Sequence, residues 1–359
     1  CRVGMASRGA ERRLARAAES GDIKSVEALL ADDVDPSHGD RHGITPLMKS
    51  CHQGHIECVR ALLAHGAPWN ELDFEGHCAG EYASAGGQHD LVAALIEHAV
   101  QAELVLGVLG RAERASKVPN FSYLSKPVTY DGGDKLLDTN RDAVMMDWET
   151  PLMKRHAEAI CAGGGDVLNV GFGMGIFDRC VREHPVVSHT IIEAHPDVHS
   201  YLIREGWGSL SNVRVEFGRW QDVVDAIITE NDALPGGRTN PDARLFDGVF
   251  FDTYGEDYDD LRDFHALLPK IMRKGGVYSY FNGMAPDNGF FHIVYCRLAE
   301  AELARIGFKT QFEKMRIDSR SESIWCGVDR RYWWGETYLL PVCRLVDRRE
   351  EEFGDPEDR

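Results

Sequence analysis

DVLNVGFGMG, residues 166–175, decides how the second half of this chain folds. An apolar run ends on three alternating glycines, Gly171, Gly173 and Gly175, and a helix-compatible stretch follows over 174–184. Glycines at a strand-to-helix turn let the backbone pass close to a ligand, and the helix start offers free N–H groups. The spacing GxGxG lacks the third glycine of the dinucleotide fingerprint in its usual place, so the loop alone allows either nucleotide class. More short apolar runs follow at βα intervals: HTIIEAH (189–195), VRVEFGRW (213–220), FDGVFFDTY (246–254) and GGVYSYFNG (275–283), with helical stretches at 196–205 and 259–272. This alternation predicts an α/β class, a Rossmann-like and mostly parallel sheet covered on both faces. TENDALPGGRTNPDAR (229–244) reads as a surface loop. FKTQFEKMRI (308–317) and RRYWWGETYLLPVCRLV (330–346) are expected to add two last strands as an antiparallel edge.

The first half follows another grammar. AESGDIKSVEALL (18–30), CHQGHIECVRALL (51–63) and SAGGQHDLVAALI (84–96) align with Gly21, Gly54 and Gly87 at a period of 33 residues. ITPLMKSCHQGHIECVRALLAHGAPWN (44–70) resembles an ankyrin repeat nearly throughout, with TPLM opening the first helix and degraded copies on either side as caps. The expected organisation is an all-α ankyrin region over 10–100, a helical connector over 101–120, an α/β domain over 121–348 and an acidic tail over 349–359.

The 359 residues carry a formal charge of −18, which disfavours direct nucleic-acid binding and suits a basic partner. No stretch approaches the roughly 20 apolar residues of a membrane span. The opening CRVGMASRGAERR has no apolar segment and does not read as a signal peptide, and a chain starting at Cys1 reads as trimmed. Nine cysteines without CxxC or finger spacing read as reduced, buried thiols of an intracellular protein, so a cytoplasmic location is expected, with the nucleus as an alternative. No metal site is visible.

Ligands of such sheets sit outside the carboxyl ends of the strands. Glu193 ends the second strand, where an acid accepts hydrogen bonds from ribose hydroxyls. GRWQD (218–222) puts Trp220 and Gln221 after the third strand, one to stack on a base and one to bond its edge. No basic residue stands near the glycines to pair a phosphate. Asp252 ends the fourth strand, where it is either a turn cap or a working carboxylate.

VLNVGFGMGIFD, IIEAH, GRWQD and FDGVFFDTY together resemble the S-adenosylmethionine sites of class I methyltransferases. With DAVMMDWETPLM (142–153) and GGVYSYFN, the likeness narrows to guanidinoacetate methyltransferase and its ankyrin-bearing relatives, the type IV protein arginine N-delta (N5) methyltransferases of fungi and plants. It covers roughly 120–345. The resemblance implies S-adenosyl-L-methionine as cofactor, S-adenosyl-L-homocysteine as product, and methylation of the delta nitrogen of arginine in a protein, a basic ribosomal protein docked by the ankyrin repeats. It implies that Gly171, Phe172, Gly173, Met174, Gly175, Ile176, Phe177, Glu193, Ala194, His195, Trp220, Gln221, Met153 and Asp252 touch the cofactor. Asp252 and Glu149 of WETP would hold the guanidinium, with Asp252 as base. Tyr123, Met145, Ser279, Tyr280 and Asn282 would line the substrate side. The paired-glutamate loop and long C-terminal barrel of the commoner protein arginine methyltransferases are not found, which supports the internal nitrogen. A small-molecule guanidino methyltransferase and a non-catalytic ankyrin adaptor that binds the cofactor stay open as alternatives.

Overall fold

Gly21, Gly54 and Gly87 have φ of +74°, +80° and +72°, so the 33-residue period is a period of left-handed turns. In the computed structural model, which describes residues 2–114, 121–232, 243–319 and 321–346, each of these glycines separates the two helices of a pair. The pairs are α1 (Arg2–Ser20) with α2 (Ile23–Ala31), α3 (Pro46–Gln53) with α4 (Ile56–Ala64), and α5 (Ala79–Ala85) with α6 (His89–Arg114). Thr45 caps α3 by accepting from the Met48 amide at 3.2 Å, with Pro46 at the first helical position. The connecting turns repeat too. Asp40 accepts from the amides of His42 and Ile44, and 33 residues later Asp73 accepts from those of Glu75 and His77. Leu47, Met48, Cys51, Val59 and Leu62 form the interior of the central pair. The connector region is a continuation of α6 as far as Arg114; 115–120 lies outside the described residues, as does the acidic tail.

The chain divides into two units, Cys1–Glu113 with Phe290–Leu298, and Arg114–Gly289 with Ala299–Arg359. The second unit begins with α7 (Phe121–Leu124) and a small antiparallel sheet that the sequence did not announce: β1 (Thr129–Asp131), β2 (Lys135–Leu137) and β3 (Ala143–Met146). Its first turn is built on Gly132 and Gly133, both at positive φ. A short 3-10 turn, Asp147–Glu149, leads into α8 (Thr150–Cys161).

Then come β4 (Gly165–Val170), α9 (Ile176–Val181), β5 (Val186–Glu193), α10 (Pro196–Arg204), β6 (Val213–Phe217), α11 (Trp220–Asp232), β7 (Phe246–Phe251), α12 (Tyr258–Ile271), β8 (Met272–Tyr280), α13 (Gly289–Arg305), β9 (Phe308–Arg316) and β10 (Thr337–Leu345). The seven-stranded sheet has the order β6-β5-β4-β7-β8-β10-β9. β6, β5, β4, β7 and β8 are parallel, and β10 lies antiparallel to β8 and β9. The expected α/β class and antiparallel edge are both present. Two details differ. Of the loop expected over 229–244, residues 229–232 form the largely exposed last turn of α11 and 233–242 lie outside the described residues, and RRYWWGE (330–336) precedes β10 as irregular chain. α8 packs Leu152, Met153, His156, Ala157 and Ile160 inward, on one helical face. The order reverses between β4 and β7, which makes their carboxyl ends the topological switch point.

Among the described residues no helix is long and apolar enough to cross a membrane. The described cysteines are free and, except for Cys326, buried; burial pushes the Cys161 and Cys343 thiols up to about 12.

Candidate active site

The register of three parallel strands brings the predicted acids to the glycine loop. Val170 pairs with Ile192 on one side and Phe251 on the other, so the next residues, Gly171, Glu193 and Asp252, emerge side by side. Gly171 has φ +95°, and a Cβ there would lie 1.8 Å from the Asp252 carbonyl oxygen. Only glycine fits where these strand ends converge. Gly173, at φ +53°, is similarly crowded, since a Cβ would meet the Met145 sulfur at 2.9 Å.

A cleft of about 690 Å³ opens over the switch point. Gly171, Gly173, Glu193, Ala194, Trp220, Gln221 and Asp252 line it, together with Tyr123 and Met145. Glu193 is buried, and its oxygens accept from the Phe172 amide at 2.9 Å and the His195 amide at 2.6 Å. Burial pushes its pKa up, against the pull of those two amides. Each oxygen keeps a lone pair for a ligand hydroxyl. Trp220 packs edge-on to Phe251 and Phe264, while its indole N–H reaches both oxygens of Glu256 at 3.0 Å. Gln221 and Thr253 bond the same carboxylate, at 3.3 and 2.6 Å.

A second cavity, about 800 Å³, shares Asp252 with the first. Glu149, Glu256, Asp257 and Tyr332 line it, and among the described residues no lysine or arginine does. Glu149 is buried, and Oε1 accepts from the Met146 amide at 2.9 Å and from the Tyr332 hydroxyl. Asp252 Oδ2 is buried without a hydrogen-bond partner. Burial raises the pKa of both carboxyls, and the Asp252 charge raises that of Glu149 further. Two buried acids in one cavity, one with an unbonded oxygen, can accept hydrogen bonds from a cationic group.

Other expected residues lie elsewhere. Phe172, Met174, Ile176, Phe177 and Met153 belong to the hydrophobic core under the loop, and Phe177 stacks on Phe250. Gly175 has φ +69° and sits over the Phe172 ring. His195 is buried, caps α10 and holds the Lys126 carbonyl at 2.9 Å, with Tyr123 against its ring. Tyr123 and Met145, expected on the substrate side, stand at the Glu193 cleft instead. Ser279, Tyr280 and Asn282 do not reach the substrate mouth, because β8 is paired on both sides and its end is interior. Ser279 bonds His156 at 2.7 Å, Tyr280 packs on His265 and Tyr278, and the Asn282 amide donates to Tyr338 at 2.7 Å. Phe281, Gly283 and Met284 take the places expected of them at the second cavity. Sequence reading missed Val144, Tyr254, Glu256 and Tyr332. The polar run TYGE behind Asp252 carried a signal for two of these, and nothing in YWWGE announced Tyr332.

Known proteins match this layout. The family description of guanidinoacetate N-methyltransferase matches residues 119–342. The chain belongs to that family. Three ankyrin copies match over 14–105. Nearly the whole chain is similar to curated proteins called protein arginine N-methyltransferase 2. The one from Cryptococcus neoformans is 34% identical over 93% of this chain and 94% of its own length. That from Aspergillus oryzae is 30% identical over 90% and 86%, and that from Neurospora crassa 27% over 93% and 95%. These alignments run through both the ankyrin region and the α/β domain of this chain.

Proposed function

We propose that the chain is an S-adenosyl-L-methionine-dependent protein arginine methyltransferase that modifies the delta (N5) nitrogen. The observation that carries this is the acidic cavity that shares Asp252 with the glycine-loop cleft and, among the described residues, is lined by no basic one. Such a pocket accepts a guanidinium. Among the described residues its lining offers no cation for the free carboxylate of guanidinoacetate, which favours an arginine within a chain over the small molecule. The relatives' shared name and the ankyrin region favour an arginine within a protein, and the charge of −18 favours a basic one, such as a ribosomal protein docked by the repeats. The delta nitrogen rests on the resemblance alone.

The cleft suits the cofactor. Glu193 would bind the ribose hydroxyls, Gly171 and Gly173 would admit the amino-acid end close to the backbone, and Trp220 with Gln221 would flank the adenine. When bound, the cofactor supplies an electrophilic methyl group on a sulfonium. The chain's own residues prepare the acceptor. An arginine side chain is delocalised and protonated, hence a poor nucleophile. Glu149 and Asp252 grip it as charge-assisted acceptors and fix its orientation. Asp252, bonded to no donor in the free site, takes the proton released as the nitrogen is methylated.

Glu149→Gln and Asp252→Asn test this. Both variants should bind S-adenosyl-L-methionine like the parent yet lose turnover, Asp252→Asn by roughly 10²–10⁴-fold. Undiminished turnover in Asp252→Asn would overturn the assignment. Absence of turnover in the parent on any guanidino acceptor would leave the adaptor reading in its place.

A further inference from the structure

Glu149 receives both of its hydrogen bonds on one oxygen. Among the described residues, Oε1 takes the Met146 amide and the Tyr332 hydroxyl, and Oε2 takes none. We propose that Tyr332 is a positioning residue for methyl transfer: its phenol locks Oε1 of Glu149 and leaves Oε2 as the acceptor for the substrate guanidinium in the cavity shared with Asp252. The proposal rests on the reading of that cavity as the guanidinium site.

Tyr332 is built to stay in place. Its ring lies 5.8 Å from that of Trp148 and 5.1 Å from that of Trp325. Its neighbours on both sides are tied down. Arg331 donates to the carbonyls of Trp333 at 2.6 Å and Ser319 at 2.8 Å and covers the Trp325 ring at 5.2 Å. Trp325 also donates to the Ser319 carbonyl, at 2.7 Å, and Trp333 donates to that of Gly335 at 2.8 Å. The irregular segment ahead of β10 thus forms an aromatic wedge against the Asp147–Glu149 turn, in a second core with Leu137, Met146 and Leu152.

The chemistry explains a phenol at this position. Glu149 faces Asp252 from the end of β7 and Tyr332 from the wedge, and Tyr254, Glu256 and Asp257 line the same cavity. Burial and the Asp252 charge push Glu149 toward its neutral form, which would grip a guanidinium poorly. A lysine or arginine partner would keep it ionised but would also repel the substrate. The phenol favours the carboxylate by hydrogen bonding and brings no charge. Burial and Glu149 hold the phenol's own pKa well above its ordinary value, so it remains a donor.

The test is Tyr332→Phe in the full chain, with Glu149→Gln and the double variant in parallel, assayed on an arginine-containing basic peptide. Tyr332→Phe should raise KM for the peptide roughly tenfold, the loss of one hydrogen bond to a charged group. It should also move the acid limb of kcat/KM to higher pH, while affinity for S-adenosyl-L-methionine holds. In the Glu149→Gln background, where turnover is lost, the substitution should weaken equilibrium binding of the peptide, read as Kd by calorimetry, no further. An unmoved acid limb with unchanged KM, or effects that add in the double variant, overturns the proposal. If Tyr332→Phe binds cofactor poorly, the segment is structural and the proposal is again overturned. Wild-type turnover in Glu149→Gln instead removes the underlying reading of the cavity.

Discussion

A buried carboxylate is costly to ionise, and two line one cavity: Glu149, held on one oxygen by the Met146 amide and the Tyr332 hydroxyl, and Asp252, whose Oδ2 has no hydrogen-bond partner. Glu149 and Asp252 both have raised pKa values, so the folded protein holds their protons more tightly than the unfolded chain does. Their contribution to stability is therefore largest below the ordinary carboxyl range and declines as pH rises toward the raised folded values. Asp252→Asn removes that loss. Its melting temperature should match the parent near pH 4 and exceed it by a few degrees near pH 8, as read by thermal melts of the ligand-free protein. Equal melting at both pH values would show that the carboxyl is not strained. The same reasoning predicts that a guanidinium ligand binds more tightly as pH rises from 5 to 8, measurable by calorimetry. His156 has the opposite character. Bonded to Ser279 and Tyr338 and pushed down to about 3 by burial, it stays neutral across this range and adds nothing to the trend.

At the scale of elements, the junction of β4, β5 and β7 fixes the site. Gly171→Ala places a Cβ 1.8 Å from the Asp252 carbonyl oxygen at a φ that only glycine adopts freely. It should cost on the order of 3 kcal/mol and abolish cofactor binding, as seen in melting and in equilibrium binding. A stable variant that binds normally would mean that the strand ends are looser than described. These strands were legible because parallel strands buried on both faces read as continuous apolar runs, and the acids Glu193 and Asp252 mark their ends. The apolar side chains of the glycine loop were read as ligand contacts, yet Phe172 and Phe177 turn down into the core, as large apolar groups do when an interior is beside them. Ser279 and Asn282 were misplaced for a related reason. A polar residue at a strand end looks exposed in sequence, but β10 lies against β8 and supplies the Pro341 and Leu339 carbonyls that satisfy them indoors. Tyr332 was illegible because it reaches Glu149 from 183 residues away, through a segment with no periodicity of its own.

Across the whole molecule, the charge of −18 and the four acids that line the second cavity, Glu149, Asp252, Glu256 and Asp257, point the same way. Encounter with a basic protein should be steered electrostatically. kcat/KM for such a substrate should fall roughly tenfold or more between 50 and 500 mM salt, with less effect on kcat. A flat salt profile would argue that charge plays no part in recognition. The period-33 repeats were legible from sequence because each turn needs a left-handed glycine. What the repeats bind leaves no such mark. The most direct test of the account is to incubate the protein with methyl-labelled S-adenosyl-L-methionine, a lysate rich in ribosomal proteins and, separately, guanidinoacetate, and to fragment any labelled protein by mass spectrometry. The account predicts label on an arginine in a protein, on its delta nitrogen, and none on guanidinoacetate. Label on a terminal nitrogen would contradict the regiochemistry, and label on guanidinoacetate alone would contradict the central claim.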